Sequence, residues 1–482
     1  MKMVKSLLLG TAAGLVAMAG AQAADLPVKA KPVQYVKICS LYGAGFYYIP
    51  GTDMCLKMGG WMRAEFGQNV NSSLTFGPMV GGRATRTDQN DYAQRTRGYI
   101  TADARNQTEY GTLRSYINVG VSQDSPNATA FGTLSVNRGF IQWAGFTFGS
   151  AQSFFDFYSP AATQYFGYTT QSDTGDTGWR VASYTAQFGN GLSGTIGFEE
   201  SRRGLVVNTG TQVVTGTTVL AGLTPTAAGN QMGIRYPDVV ANLRIDQAWG
   251  SAQLMGALHD ASGGYYGTTA GTGGPGNTTG YALGAGIKLN APMIGAGDFF
   301  QAQVNYGKGA IAYLAYLQGA AGVLGRTAFT RYSGNSFGYG WLTDGVYTGA
   351  AGGSVQLTEA WGVNAAYEHF WNPRWKTSIY GSYLSVNYND TASLALCGMT
   401  GLAVAAASCN SDFSYWAAGT RTQWNVTKDF YMGLDVLYAK LNTASSGVAT
   451  LASSGAQPGG AYTLKNQDAW SFRFRVHRDF YP

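Results

Sequence analysis

The chain has 482 residues and a formal net charge of +6, and only 12% of it is charged, against ~25% in ordinary soluble domains. So slight and dispersed an excess, with no basic run, excludes a nucleic-acid partner. Glycine (68) and tyrosine (31) are abundant and proline (13) is scarce, and past Ala24 no stretch approaches the ~20 apolar residues of a membrane helix, which excludes a helical membrane protein.

At the start of the chain, Lys2 and Lys5 precede an uncharged apolar stretch from Leu7 to Gly20, followed by the small-residue site Ala21-Gln22-Ala23. This is the pattern of a secretory signal peptide over 1–23, and its removal lowers the net charge by the two lysines. The division expected is a signal at 1–23, a periplasmic N-terminal segment at 24–56 and a folded β-barrel at 57–482. Export places the four cysteines in an oxidising compartment. Three pairings are possible; short local spacing favours Cys39 with Cys55 and Cys397 with Cys409. There is no C-x-x-C, and His259, His369 and His477 lie far apart, so neither a metal site nor any other cofactor is expected.

From residue 57 on, the repeating unit is a strand of about ten residues in which apolar and polar side chains alternate. Successive side chains of a strand point to opposite faces, so such a segment meets lipid on one side and water on the other. In 95–105, Arg95, Arg97, Tyr99, Thr101, Asp103 and Arg105 share one face, while Thr96, Gly98, Ile100, Ala102 and Ala104 share the other. Sixteen segments are predicted: 57–68, 93–106, 111–121, 136–143, 146–152, 179–188, 192–201, 238–248, 251–260, 279–289, 298–308, 355–371, 375–389, 413–424, 429–441 and 464–480. Their connections alternate short (Gly189-Asn190-Gly191, Trp249-Gly250, Asn372-Pro373-Arg374, 425–428) and long (69–92, 153–178, 202–237, 309–354, 442–463), as in bacterial barrels. Near the C-terminus Trp470, Phe472, Phe474 and Val476 form a lipid face against Ser471, Arg473, Arg475 and His477 on the water face. Phe430, Met432, Leu434, Val436 and Tyr438 do the same against Tyr431, Gly433, Asp435 and Leu437. Trp143, Trp361, Trp371, Trp416 and Trp424 lie near strand ends, where aromatic girdles form. A soluble β-sandwich also alternates, but loops of roughly 20 to 45 residues are foreign to that class. The fold class is therefore all-β: a 16-stranded antiparallel transmembrane barrel in the outer membrane, in contact with its lipid.

Several stretches carry a family likeness. The run Val36-Lys37-Ile38-Cys39-Ser40-Leu41-Tyr42-Gly43-Ala44-Gly45-Phe46-Tyr47-Tyr48-Ile49-Pro50-Gly51-Thr52-Asp53-Met54-Cys55-Leu56-Lys57 resembles the start of the general-diffusion porins of alphaproteobacteria. So do 139–148 with Gln152-Ser153-Phe154-Phe155-Asp156, then His369-Phe370-Trp371, then Arg421-Thr422-Gln423-Trp424. The resemblance implies a 16-stranded barrel, a homotrimer, passive diffusion of small hydrophilic solutes and ions, and a loop after the fifth strand that folds into the pore. One departure stands out. Porins commonly end on an aromatic residue, and here Phe480 is followed by Tyr481 and Pro482.

A pore of this kind needs a polar wall and a constriction. The predicted inward faces carry Arg63, Arg95, Arg97, Arg105, Arg114 and Arg138, from neighbouring strands, as a basic wall. The implied constriction loop, 153–178, carries Asp156, Asp173 and Asp176 and no lysine or arginine. Acids facing bases across a narrow lumen set up a transverse field that orients dipolar solutes and slows apolar ones. Local pairing, as of Arg105 with Asp103, is the competing account of any one of these arginines. An enzyme is not expected. Gly334-Asn335-Ser336-Phe337-Gly338 matches G-x-S-x-G, but it lies in a Gly-rich loop with no helix to follow, as a nucleophile elbow requires. A barrel devoted to adhesion or outer-membrane catalysis is the second reading.

Overall fold

The computed structural model describes residues 37–68, 92–124, 133–166, 173–175, 178–210, 230–315, 328–399, 409–451 and 458–482. The segment 1–23 expected as a signal peptide, residues 24–36 and Asp176 lie outside the described residues.

Sixteen strands form one closed antiparallel barrel. They are β1 (Cys55–Gln68), β2 (Tyr92–Thr108), β3 (Gly111–Asp124), β4 (Thr133–Trp143), β5 (Phe146–Ala151), β6 (Trp179–Gly189), β7 (Leu192–Glu199) and β8 (Asp238–Gln247), then β9 (Gly250–Asp260), β10 (Thr279–Asn290), β11 (Phe299–Lys308), β12 (Glu359–Asn372), β13 (Trp375–Asn387), β14 (Phe413–Asn425), β15 (Phe430–Asn442) and β16 (Gln467–Asp479). Each strand pairs with the next, and β16 returns to β1 in a register running from Trp61↔Asp479 to Gln68↔Phe472. Every predicted segment falls on one of these strands. Two begin late because their first residues pair elsewhere. Gln356–Leu357 bonds to 345–346 instead of continuing β12, and Gly460–Leu464 forms a hairpin with Gly447–Leu451 instead of continuing β16. At the short-turn end the backbone is tight: Asn190 and Gly191 both take positive φ (51° and 75°), and a side chain on Gly191 would strike the Asp246 carbonyl.

The burial pattern is that of a soluble protein turned inside out. Ile196 (60%), Leu254 (63%) and Ile379 (61%) are exposed on the outer wall, whereas Gln303, Asn364 and Asp435 are buried inside. Two aromatic belts cross that wall. At the short-turn end stand Trp143, Trp249, Trp371 and the stacked pair Trp375–Trp424, with ring centroids 5.8 Å apart. At the other end are Trp361 beside Tyr383 and the chain Trp416–Tyr438–Trp470. Tilted amphipathic rings at both interfaces suit a transmembrane barrel.

Both disulfides join the local pairs, Cys39–Cys55 and Cys397–Cys409. The first ties a small knot, with Phe46 buried between the cysteines, onto the start of β1. The second joins the helix Asp390–Met399 to the chain entering β14. The C-terminus packs onto the opposite end of the barrel, beside the N-terminal knot. Phe480 donates its N–H to the Gly60 carbonyl at 2.9 Å, so the β16–β1 ladder gains one more rung. Phe480 packs on Gly60 from the lipid side, the Tyr481 ring lies on Gly59 from the other side, and Pro482 reaches Gly45 of the knot. An added side chain at Gly59 or Gly60 would collide with these rings.

The lumen is not empty. The described parts of the connection 309–358, residues 309–315 and 328–358, fold inward, burying Ile311, Tyr313, Leu314 and the run from Phe337 to Tyr347. The loop carrying Leu205–Asn208 joins it in a parallel pairing with Thr343–Tyr347. A buried polar cluster clamps these loops to the wall. Asp344 accepts the N–H groups of Gly204 (2.6 Å) and Ile311 (2.9 Å) and lies 3.2 Å from His259 Nε2. On its other side the His259 ring faces Asp238 at 2.9 Å, which also accepts the Tyr313 hydroxyl at 2.8 Å. Long-range polar contacts of this kind leave no periodic trace, so 309–354 reads from sequence only as a long outer loop.

Two outcomes follow from this architecture. Ile196→Arg places a charge in lipid at ~2–4 kcal/mol and should deplete the heat-resistant folded barrel on unboiled gels. Thr185→Arg, on the inner face one register step away, should leave it intact; equal losses would mean the faces are reversed. Asp344→Ala strands two buried N–H groups and the His259 ring, a loss of about 3–5 kcal/mol. Limited proteolysis should then cut within 309–358 while the barrel itself stays heat-resistant, whereas an uncut loop would show that Asp344 is not its anchor.

Candidate functional site: the lumen constriction

The strand period alone aims one side chain in two at the lumen, and closure decides which of these meet. Arg63 and Glu65 project from β1, Arg95 and Arg97 from β2, and Arg473 and Arg475 from β16. In register, Arg63 faces Arg97, Glu65 faces both Arg95 and Arg475, and Gly67 faces Arg473. Arg138 reaches the same place through a β-bulge. Val119 pairs with Val136 but Asn118 pairs with Arg138, leaving Asn137 as an extra residue. Without it the alternation from Leu134 and Val136, both on the outer wall, would turn Arg138 to lipid.

The opposite side of the opening is loop 152–178, whose described part 152–166 packs against the inner faces of β11, β13, β14 and β15. Its backbone is held at each step by inward polar side chains. The Tyr158 N–H donates to Gln303 (2.8 Å), the Ser159 carbonyl accepts from Gln301 (3.0 Å), and the Thr163 carbonyl accepts from Ser378. The Tyr165 N–H donates to Asp435 (2.5 Å), and its carbonyl accepts from Arg473 (2.7 Å) and Arg475 (3.0 Å). The Tyr165 ring lies under the Arg475 guanidinium at 4.3 Å, and its hydroxyl donates to Gln423 at 2.9 Å. Burial pushes the Tyr165 phenol well up, so it remains a neutral donor. Only glycine fits at 433, where the Tyr165 ring comes against β15. Between loop and wall lies an opening of about 220 Å³. Among the described residues six arginines line it, with Glu65 and Asp173 as the carboxylates, beside Gln164, Tyr165, Phe166 and Tyr431.

Of the arginines expected in the wall, Arg63, Arg95, Arg97 and Arg138 meet at this opening. Arg105 and Arg114 do not. Both bind the Asp103 carboxylate, at 2.7 and 2.9 Å, and Arg105 lies over the Phe46 ring of the N-terminal knot. Eight residues separate Arg105 from Arg97, ~27 Å along an extended strand, which places it at the short-turn rim. Among the loop acids, Asp173 lines the opening and accepts the Gly175 N–H at 2.7 Å. Asp176 lies outside the described residues. Asp156 turns the other way. It is buried, accepts the Thr174 N–H (2.7 Å) and hydroxyl (2.6 Å), and lies 3.3 Å from Arg202. It therefore folds the loop and ties it to the 200–237 connection, and does not face the arginine wall. The reason is local: buried N–H groups and a buried guanidinium need a carboxylate more than the solvated opening does.

Arg473, Arg475 and Glu65 join the opening without having been expected in the basic wall. The alternation of 470–477 already places both arginines on the water face, but nothing in the sequence says that the last strand abuts the first. Ser336 of the G-x-S-x-G match sits in a strand-turn-strand hairpin, donating to the Ser333 carbonyl at 2.8 Å, which is not an elbow geometry.

Similarity to known proteins agrees with this architecture. A family model described as the porin subfamily matches residues 25–472. Porin Omp2b of Brucella melitensis is 34% identical over 264 residues, covering 52% of this chain and 64% of that protein, and Porin Omp2b of Brucella suis is 32% identical over 262. The aligned stretch thus spans under two thirds of these relatives' length. Among solved structures, the outer membrane channel DcaP of Acinetobacter baumannii superposes with a TM-score of 0.56 over 90% of this chain and 99% of that one, at 12% identity, a likeness of fold. With the family model matching residues 25 to 472, the chain belongs to the porin subfamily.

Proposed function

We propose that this protein forms a water-filled channel in the outer membrane, through which small hydrophilic solutes and ions diffuse passively, and that it works as a homotrimer after removal of residues 1–23. The observation that carries this reading is the opening of about 220 Å³ between loop 152–178 and the arginines of β1, β2, β4 and β16. A barrel kept only as an adhesin or enzyme scaffold has no need of a polar constriction. Asp173 on the loop and the arginines on the wall supply a transverse field, which a dipolar solute can follow and an apolar one cannot, because the apolar solute gives back nothing for the ordered water it displaces.

In planar bilayers the folded protein should give discrete, ohmic conductance steps; a folded barrel that never conducts would sink the channel reading. Zero-current potentials across a salt gradient test the field. Asp173→Asn should move the potential toward anions, and Arg95→Ala with Arg97→Ala toward cations. Asp156→Asn, whose carboxyl faces away from the opening, should move it far less. The shifts should shrink from 0.1 M to 1 M salt, as the Debye length falls from ~10 to ~3 Å.

A further inference from the structure

We infer that residues 309–315 and 328–358 form a displaceable plug, anchored where Asp344 meets His259 and able to lift from β12 and β13. On the channel reading, the lifted plug gives the protein a second, wider conducting state.

The plug is held unevenly. On the β8–β9 side its attachment is polar and dense. Asp344 lies 3.2 Å from His259 Nε2 and accepts the N–H groups of Gly204 and Ile311. Asp238, 2.9 Å from His259 Nδ1, accepts the Tyr313 hydroxyl at 2.8 Å and the Arg202 N–H at 3.1 Å. Toward β12 and β13 the contact is of another kind. Leu314 and Trp341 of the plug join Ala360, Leu384 and Val386 of the wall in one apolar cluster. The Tyr388 hydroxyl, just past β13, donates to the Trp341 carbonyl at 2.8 Å. Apolar contact is non-directional, so it can part and re-form without a specific geometry.

Next to that contact lies a polar row. Gln303, Asn364 and Ser382 stand side by side in register on the inner faces of β11, β12 and β13. Gln303 accepts the Tyr158 N–H of loop 152–178, and one row further along Asn305 donates to the Tyr313 carbonyl of the plug at 2.8 Å. The row therefore sits where the plug and the constriction loop meet. Asn364 is fully buried, and among the described residues neither its Nδ2 nor its Oδ1 has a hydrogen-bond partner. The same holds for the Ser382 Oγ and, on the plug itself, the Trp341 indole N–H.

A buried polar group without a partner costs free energy relative to the same group in water. The seated plug bears that cost at Asn364, Ser382 and Trp341. One and two rows further along β13, Leu384 and Val386 are apolar, so this wall accommodates leucine and valine where it stays dry. An asparagine suits a surface that water reaches part of the time. Lifting the plug hydrates all three polar groups at the expense of the apolar contact. That brings the two states closer in free energy than a plug sealed by apolar side chains throughout.

All four cysteines are in disulfides, so one introduced thiol reports its own exposure. Ala360→Cys places it on the buried inner face of β12 beneath Leu314: a side chain on Gly307, the cross-strand partner of Ala360, would strike Leu314. The test follows labelling of that thiol by a trimethylammonium methanethiosulfonate in the full-length folded protein. Each variant is first shown to be heat-resistant on unboiled gels. Where opening and closing outpace labelling, the rate tracks the lifted population. His259→Gln weakens the anchor and should speed labelling about tenfold. Asn364→Leu removes the unpartnered amide and should slow it about tenfold, each change being the equivalent of about 1.4 kcal/mol. Ser382→Ala should also slow it, and it stands in if Asn364→Leu fails to fold. In planar bilayers the wild type should step to a wider level, more often in His259→Gln and more rarely in Asn364→Leu. Opposed shifts in labelling support the plug. Equal rates in all variants, faster labelling in Asn364→Leu or Ser382→Ala, or a single conductance level throughout overturns it. Labelling in the expected order by a folded protein that never conducts would leave the plug standing and overturn the channel reading instead.

Discussion

A strand can lie in hydrocarbon only if both of its edges are bonded, because each unpaired backbone N–H or C=O there costs several kcal/mol. That constraint requires β16 to return to β1, and much else in this protein follows from the return. Closure sets Arg473 and Arg475 beside Glu65 and brings them to within reach of the arginines of β2. The constriction is therefore a feature of the seam between the first and last strands. The chain ends reinforce the same seam: Phe480 extends the ladder onto Gly60, and Pro482 reaches the disulfide-bonded knot around Cys39 and Cys55. The terminal Tyr481 and Pro482 thus continue the structure past Phe480, which keeps its place on the lipid side.

Turning polar groups inward solves the lipid problem and creates another, since buried polar groups need partners. On the β7–β15 side of the lumen a set of them holds chain that is folded inward. Asp344, His259 and Asp238 hold the 309–358 connection, Glu199 and Arg202 hold the next layer, and Gln301, Gln303 and Ser378 hold loop 152–178. On the β1–β4 and β16 side the opening remains. Among the described residues, acids and amides of the inner wall bind the inward-folded backbone, whereas arginines predominate around the opening. An amide or carboxylate can bind a backbone segment and draw a loop in.

The strands and their faces were legible in the sequence because alternation with period two is a local property. Ile100 against Thr101 and Phe474 against Arg475 needed no knowledge of neighbours. Likewise the cysteine pairs are close along the chain, and their pairing follows from proximity. The tertiary structure decided the rest, for reasons that no local pattern carries. Which strand abuts β1 is a matter of closure, so the part played by Arg473 and Arg475 emerged only in three dimensions. Arg138 depends on one bulged residue, Asn137, whose extra place in the register flips the side chains beyond it. Arg105 and Arg114 share the inner face of the wall but sit at its rim, on Asp103, because depth along a strand separates residues that share a face. Asp156 lies in an aperiodic loop, where the direction of a carboxylate is set by whichever buried donors need it. Here those are Thr174 and Arg202, contributed by segments 18 and 46 residues away.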